Sequence, residues 1–363
     1  MRILRFIMLW VSALCAVICG AETFSYNGSE YRTVEDTAFG KSVALVSFGQ
    51  EIPKSGELVM DSQVYMEGDD EPYNVVRLEN SSITNPGAVR SITLPANLIE
   101  IGMNNINELS MLEKIEFGNH LEAIEDFCFW ELPNLKEISF PQSLKHINEG
   151  CFEAVGLTRL TIDLPDFYIM GIAFRHLPDL ETLELVNIWE IGNSVFCDLP
   201  KLKRVVIPKG CYWIYPNSFQ ELPSLEDIVF ADNKDLKILS SAFQNCPAVK
   251  RIYFEGSEPP QIESEFEPLS GEGEYSLDFK NITLYVPYGS KETYESNNRW
   301  NIFGSIVEYD PAGIDEVGDD AINLNDKAPV EYFNLQGVRV ANPAAGELVI
   351  KRQGDKVSKT FFN

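Results

Sequence analysis

The feature that most constrains the fold of this chain is a repeat of 22–24 residues that begins near residue 89. Residues 112–134 and 135–156 align with apolar residues in six shared columns, in the pattern L-x-x-I-x-F, then L-x-x-I, then Phe. The opening of each repeat alternates apolar and polar residues, which is typical of a short strand that faces a core. A repeat of this length is one structural unit that buries its apolar side only by stacking on its neighbours. The sequence therefore predicts a solenoid.

Four apolar columns recur with few exceptions along the array. The strand starts are Val89, Leu112, Leu135, Leu157, Leu180, Leu202, Leu225 and Val249. The isoleucine column is Ile101, Ile124, Ile147, Ile169, Ile191, Ile214 and Ile238, and the phenylalanine column is Ile106, Phe129, Phe152, Phe174, Phe196, Phe219 and Phe243. The fourth column, three residues further on, is Leu109, Leu132, Val155, Leu177, Leu199, Leu222 and Cys246. We expect all four columns to be buried between turns stacked about 4.8 Å apart.

Charge patterning supports stacking in register. The residue after each strand start is Arg90, Glu113, Lys136, Thr158, Glu181, Lys203, Glu226 and Lys250, so the sign alternates with one neutral gap. Opposite charges on neighbouring strands attract and like charges repel. This column predicts ion pairs between adjacent turns, including one between Glu113 and Lys136.

The repeat resembles the leucine-rich repeats of the BspA-like type, which occur on bacterial cell-surface proteins. The resemblance covers residues 89–309, including a closing segment from Leu284 to Trp300. It implies a leucine-rich repeat solenoid that is β-rich and α/β-horseshoe-like, with a parallel strand ladder. It also implies a role in protein binding or adhesion without catalysis.

The ends of the chain predict further regions. Residues 1–21 have two arginines, an apolar run and small residues, which indicates a secretory signal peptide. No later stretch is long and apolar enough to span a bilayer, so we expect an exported protein at the cell surface or outside the cell. In residues 22–88, short stretches that alternate apolar and polar residues are divided by turns, which predicts an N-terminal cap of β-hairpins. Residues 310–328 form an acidic linker.

The last segment, residues 329–363, predicts a small C-terminal β module. It is basic where the rest of the chain is acidic, and it resembles the C-terminal sorting domains of the type IX secretion system. It departs from them in having Glu-Leu-Val at residues 347–349, where Gly-Ile-Tyr is more usual. The alternative is a β module with no role in export.

Composition and motifs argue against catalysis, cofactors and nucleic acid. The formal charge of −26 would repel a polyanion such as nucleic acid. His120, His146 and His176 occupy different repeat positions, and no catalytic or metal-ligand motif is present, so we expect no enzyme activity, metal or cofactor. Five cysteines follow the signal segment, and an odd number argues against a complete disulfide framework. Cys128 and Cys151 could approach within bonding distance in adjacent turns, but we favour buried free thiols.

A column of aromatic residues provides the candidate binding site. Seven residues before the phenylalanine column lie Ile99, Glu122, Lys145, Phe167, Trp189, Tyr212 and Leu236. Tyr168 and Trp213 lie beside this column. Aligned rings on consecutive turns could contact a protein loop or two sugar rings. The alternative is that these rings fill the core, which we favour for Phe167. We favour exposure for Trp189 and Trp213, because Ile188 and Ile214 beside them already supply core residues.

We therefore predict a ligand-binding patch centred on Trp189, Tyr212 and Trp213, with Phe167 and Tyr168 at its margin. The expected partner is a protein or another component of a host or bacterial surface. The alternatives are a glycan ligand or a purely structural role in the cell envelope. The sequence does not indicate an oligomeric state.

Overall fold

The computed structural model describes residues 21–84, 87–165, 167–169, 171–239, 241–260 and 277–311, and three later strands within 330–361. Residues 1–20 of the predicted signal peptide, most of the predicted linker and residues 261–276 lie outside these residues. The chain divides into two compact units, Met1–Pro200 and Lys201–Asn363. Each is described by itself below.

The N-terminal part of the first unit contains six strands. They are β1 (Thr23–Tyr26), β2 (Ser29–Thr37), β3 (Gly40–Ser47), β4 (Glu57–Val59), β5 (Gln63–Val64) and β6 (Tyr73–Leu78). Strands β1, β2 and β3 form an antiparallel meander, and β5 pairs antiparallel with β6. Strand β3 also pairs in parallel with β6, so parallel pairing begins inside the region 22–88 that the sequence assigns to the cap.

The repeats of the first unit supply twelve short strands. They are β7 (Ser91–Thr93), β8 (Glu100–Ile101), β9 (Lys114–Glu116), β10 (Ala123–Ile124), β11 (His146–Ile147), β12 (Phe152–Glu153), β13 (Arg159–Ile162), β14 (Tyr168–Ile169), β15 (Phe174–Arg175), β16 (Thr182–Leu185), β17 (Glu190–Ile191) and β18 (Phe196–Cys197). Each strand pairs in parallel with the strand one repeat away, as β10 does with β8 and β11. The register joins equivalent columns, for example Ile124 with Ile147 and Phe152 with Phe174. The predicted parallel solenoid is confirmed.

The second unit repeats this arrangement and ends in a separate sheet. Its elements are β19 (Arg204–Ile207), β20 (Trp213–Ile214), β21 (Phe219–Gln220), β22 (Asp227–Phe230), β23 (Lys237–Ile238), β24 (Arg251–Phe254), β25 (Thr283–Pro287), α1 (Lys291–Ser296), β26 (Ser305–Tyr309), β27 (Val330–Phe333), β28 (Leu348–Gln353) and β29 (Lys356–Phe361). Strands β19, β22, β24, β25 and β26 form one parallel ladder. Strands β27, β28 and β29 form an antiparallel sheet. In the described residues α1 is the sole α-helix, so the solenoid is β-rich and almost free of helix.

The core lies inside the turns and consists of the predicted columns. Every member of the isoleucine column is 0–3% exposed, and the phenylalanine column is fully buried. Rings of the phenylalanine column stack face to face within each unit, at 5.3 Å for Phe129 and Phe152 and 5.0 Å for Phe219 and Phe243. Close ring contacts of this kind add to the free energy gained from burial alone.

The charge column is confirmed in part. Arg90 pairs with Glu113 at 2.8 Å and Lys250 with Glu226 at 3.5 Å, as in-register stacking requires. The predicted pair between Glu113 and Lys136 is wrong, because the Lys136 ammonium contacts Asp179 at 2.9 Å. Asp179 lies 43 residues further along the chain, at the end of the next repeat, and the long lysine side chain reaches it.

The corners of the turns adopt the left-handed backbone conformation. Two residues before the phenylalanine column, φ is positive at Asn104, Phe127, Gly150, Ile172, Ser194, Asn217 and Ser241. Two residues after it, φ is positive at Glu108, Glu131, Ala154, His176, Asp198, Glu221 and Asn245. Most corner N–H groups donate to a carbonyl of the following turn, as Phe127 does to Glu149 at 2.9 Å and Ile172 to Ser194 at 3.0 Å. These bonds offset the steric cost of a conformation that side chains disfavour.

Candidate functional site

Of the three predicted aromatic site residues in the first unit, one lies in the core and two lie at the surface. Phe167 is fully buried, so it fills the core and is not available to a partner. Tyr168, in β14, is half-buried and stacks on His146 at 5.5 Å between ring centroids. Trp189 is 46% exposed, although Ile188 before it and Ile191 two residues after it are buried. Trp189 directly precedes the short strand β17, in which Ile191 is the buried residue.

In the second unit, Tyr212 and Trp213 are exposed to solvent to different extents. Tyr212 is 47% exposed, whereas Cys211 before it and Ile214 two residues after it are fully buried. Trp213 is partly exposed, and the Lys237 ammonium lies 4.6 Å from its ring centroid. The parallel pairing of β20 with β23 places Lys237 directly beside Trp213. This cation–π contact holds the indole ring in a defined position.

The same column carries a different chemistry in earlier turns. Glu122 and Lys145 occupy it in consecutive repeats and form an ion pair at 2.5 Å. The backbone N–H of Lys145 also donates to the carbonyl of Glu122. Stacking at this position therefore brings successive side chains into contact, and the change from charged to aromatic residues changes the surface from polar to apolar.

The structure also shows a pocket that the sequence did not predict. The segment Leu135–Phe140 matches the strand pattern, and Leu135 and Ile138 are buried, but the structure assigns no strand to it. Within the described residues, no backbone hydrogen bond is formed by Glu137, Ile138, Ser139 or Phe140. The ladder that contains β4, β7 and β9 stops before this segment, and the one that contains β13 and β16 starts after it.

A pocket of about 270 Å³ lies at this interruption. Its walls are Glu137, Ile138, Ser139, Phe140, Gln142, Arg159, Thr161, Asp163 and Leu164. The Arg159 guanidinium and the Thr161 hydroxyl both donate hydrogen bonds to the Glu184 carboxylate, at 2.6 Å and 2.9 Å. The Gln142 amide donates to the Asp163 carbonyl at 2.8 Å. The pocket thus combines polar and apolar side chains with backbone groups that form no backbone hydrogen bond.

The titratable residues do not form a reactive cluster in the described part of the chain. No group of three or more His, Cys, Asp or Glu side chains there could hold a metal ion. His176 contacts Asp198 at 2.6 Å, and His146 lies 3.6 Å from Glu125. All five cysteines of the described residues are buried thiols outside any disulfide bond, including Cys128 and Cys151. Burial raises the pKa of the Cys128 thiol to about 12, which disfavours a nucleophilic thiolate.

Comparison with known proteins identifies the repeat. A profile of the BspA type leucine rich repeat region matches six copies over residues 70–177 and 167–265, more than half of the chain. The chain belongs to the BspA-type leucine-rich repeat family. No curated protein matches it in sequence. The described residues include no helix with the length and hydrophobicity to cross a membrane.

Several solved structures resemble this chain. A leucine-rich repeat protein from Bacteroides ovatus is 17% identical, with a TM-score of 0.51 over 78% of this chain and 76% of that one. A leucine rich cell surface protein from Faecalibacterium prausnitzii is 12% identical, with a TM-score of 0.29 over 85% and 98% of the two chains. The pneumococcal vaccine antigen PcpA is 14% identical, with a TM-score of 0.32 over 79% and 98%. The first of these similarities supports the leucine-rich repeat fold of this BspA-type chain.

Proposed function

We propose that this BspA-type protein is exported to the cell surface and binds a protein partner through exposed aromatic side chains, without catalysis. The observation that carries the proposal is the exposure of Trp189 and Tyr212, each nearly half exposed directly after a buried residue. Tryptophan and tyrosine are enriched among the residues that dominate protein interfaces. Trp213, held by Lys237, adds a third ring in the second unit.

Several further observations support this function over others. Repeat solenoids offer extended surfaces for binding, and the family match covers more than half of the chain. The sequence pattern of residues 1–21 favours export. The negative charge disfavours nucleic acid as a partner.

A binding assay with matched variants tests the proposal. Wild-type protein would be used to capture partners from host and bacterial surface extracts, and would be applied in parallel to a glycan array. We expect Trp189→Ala and the double variant Tyr212→Ala/Trp213→Ala each to lose roughly tenfold or more in affinity for the captured protein. Tyr65→Ala and Tyr288→Ala are controls, because these tyrosines are exposed to a similar degree elsewhere in the first and second units.

The outcomes separate the alternatives. Unchanged affinity in both aromatic variants, with wild-type circular dichroism, would dismiss the aromatic residues as the binding surface. Failure to capture any protein would favour a structural envelope component.

Glycan binding is the second candidate, because the pocket beside Ser139 and Thr161 offers polar groups next to the ring of Phe140. This arrangement is common in sites for small polar ligands. Binding on the array that is lost in Thr161→Ala but kept in Trp189→Ala would favour a glycan and the pocket. Thr93→Ala is the control, since Thr93 occupies the equivalent position three repeats earlier and donates a hydrogen bond to Glu116.

A role in export is proposed for residues 329–363 on the basis of their resemblance to type IX sorting domains. Their deletion should then retain the protein inside the cell envelope of its bacterium. Normal arrival of the deleted form at the surface would leave the segment as a β module without an export role.

A further inference from the structure

Phe127 places an aromatic ring where the backbone conformation disfavours it. It lies two residues before the phenylalanine column, at a corner that is left-handed in each of the seven turns, and its own φ is 56°. Five of the seven residues at this corner are Asn, Gly or Ser, whereas a bulky side chain strains a left-handed backbone. Ile172, the other bulky residue there, is partly buried, but Phe127 is 50% exposed. Burial in the core therefore does not explain a phenylalanine at this position.

The ring of Phe127 lies on Gly150, which occupies the same corner of the next turn. A Cβ atom at Gly150 would come within 2.7 Å of the Cδ1 atom of Phe127 and within 2.8 Å of its Cε1 atom. Glycine thus leaves the room that the ring needs, and the ring covers Gly150, which is buried although it lies at a corner. The two residues form a matched pair that holds the ring at the surface with half of it in solvent.

Hydrogen bonds from both neighbouring turns fix this corner. The Phe127 N–H donates to the Glu149 carbonyl in the following turn at 2.9 Å. In the preceding turn, the Asn107 side-chain amide donates to the Phe127 carbonyl at 3.0 Å and accepts from the Trp130 N–H at 3.2 Å. The ring therefore stands on a backbone that is already ordered, which lowers the entropic cost of binding a partner.

The carboxylates around this ring are not neutralised. Residues 99–111, 121–135 and 146–158, which include this corner in three consecutive turns, contain no Lys or Arg. Among the described residues, four carboxylates at or next to the corner form no ion pair: those of Glu108, Asp126, Glu131 and Glu149. We call these four residues together with Phe127 and Gly150 the Phe127 corner. It combines an apolar ring with a local excess of negative charge.

This combination determines the charge of a fitting partner. A Lys or Arg side chain that the carboxylates attract can place its cation against the ring and cover the ring with its aliphatic stem. A second copy of this chain would bring further negative charge, since the formal charge is −26, and a polyanion such as nucleic acid is repelled for the same reason. Charge complementarity therefore favours a basic polypeptide as the occupant.

We propose that the Phe127 corner is an additional interaction surface and that it binds a basic polypeptide segment of another protein. The Phe127 ring contacts a Lys or Arg side chain of that segment, and the four carboxylates attract its positive charge. This surface is separate from the exposed rings of Trp189, Tyr212 and Trp213. Neither of the two proposals depends on the other.

A pair of synthetic peptides tests the proposal on the full chain. One peptide alternates arginine with leucine, and its counterpart has citrulline in place of every arginine, which removes the charge and keeps the shape. We expect the arginine peptide to bind at least about tenfold more tightly, with an affinity that falls as salt is added. In Phe127→Asn the affinity for the arginine peptide should fall about tenfold, because the ring is lost. Tyr65→Asn is the control, since Tyr65 is 46% exposed elsewhere in the first unit.

An unfolding measurement separates binding from a structural role of the ring. Asn stands at the same corner as Asn104 and Asn217, both left-handed, so Phe127→Asn should keep or raise the urea midpoint. The conservative variant Phe127→Tyr should keep the affinity. If Phe127→Asn unfolded, the decision would rest on two carboxylates whose side chains form no hydrogen bond or ion pair among the described residues, Glu131 and Glu149.

The double variant Glu131→Gln/Glu149→Gln should lose about fivefold in affinity for the arginine peptide, whereas Glu51→Gln/Glu67→Gln, which removes the same charge elsewhere in the first unit, should lose less than about twofold. Equal losses in the two double variants would overturn the proposal, because net charge alone would then attract the peptide. Equal affinity for the arginine and citrulline peptides would also overturn it. Binding that is lost in Trp189→Ala but kept in Phe127→Asn would overturn it as well and would place the peptide on the other surface.

Discussion

The strand ladders of the two units have the same buried apolar inner face, but their outer faces differ in polarity and exposure. In β13 and β16 of the first unit the outward residues include Arg159, Thr161 and Glu184, which are solvated and joined by hydrogen bonds. In β22 and β24 of the second unit the equivalent positions include Val229 and Tyr253, which are buried. A repeat thus specifies the solenoid through its inward columns alone. The outward columns are free to specify what each part of the solenoid contacts.

The largest expected effect is on the outer faces. Tyr253→Ala should lower the free energy of unfolding by about 3–5 kcal/mol through lost burial and a cavity. Thr161→Ala, in the same column of the first unit, should cost less than about 1 kcal/mol, because it removes one exposed hydrogen bond to Glu184. Urea unfolding followed by circular dichroism measures both, and hydrogen exchange assigns each loss to its unit. Equal costs would show that the two outer faces do not differ.

The inner faces should respond alike. Ile147→Ala in the first unit and Ile238→Ala in the second should each cost about 2–5 kcal/mol, because both residues are fully buried in the isoleucine column. Urea midpoints of the two variants provide the measurement. His146→Ala is the control beside Ile147, since His146 is partly exposed. A midpoint unchanged in both isoleucine variants would contradict the repeat register.

The smallest effect concerns the charge column of the first unit. A double-mutant cycle on Arg90 and Glu113, which are both more than half exposed, should give a coupling of about 0.2–1 kcal/mol. Added salt should reduce the coupling, because it screens exposed charges. A coupling that grew with salt would show that the two residues do not interact through their charges. The same cycle on Lys136 and Glu113 should give no coupling.

The repeat pattern predicted the core because an inward residue must be apolar in every turn. The four apolar columns, the parallel register and the burial of Phe167 all follow from that requirement. Periodicity carries less information about the outward side, where many residues are compatible with the fold. The contact of Lys136 with Asp179 was missed because a flexible side chain chooses among several carboxylates in an acidic chain.

Two features of the surface were also missed. Leu135–Phe140 has the full strand pattern, and the pocket beside it arises because its backbone does not pair with the neighbouring turns. Side-chain pattern alone does not report such a loss of pairing. The outward side of the second unit's ladder did leave a signal, because Val229, Tyr253 and Tyr285 place apolar or aromatic residues at outward positions of consecutive strands. A single apolar residue at an outward position does not indicate a second layer; apolar residues at the same outward position of several neighbouring strands do.

The left-handed corners have a consequence for the order in which the chain acquires its structure during synthesis. A corner such as Phe127 or Ile172 is stabilised by a carbonyl that lies later in the sequence, in Glu149 or Ser194. As the polypeptide emerges from the ribosome, the newest turn lacks these acceptors until about 22 further residues have followed. We therefore expect the newest turn of a nascent chain to remain open and to close only when its successor arrives. Each turn thus acts as the template that completes the turn before it.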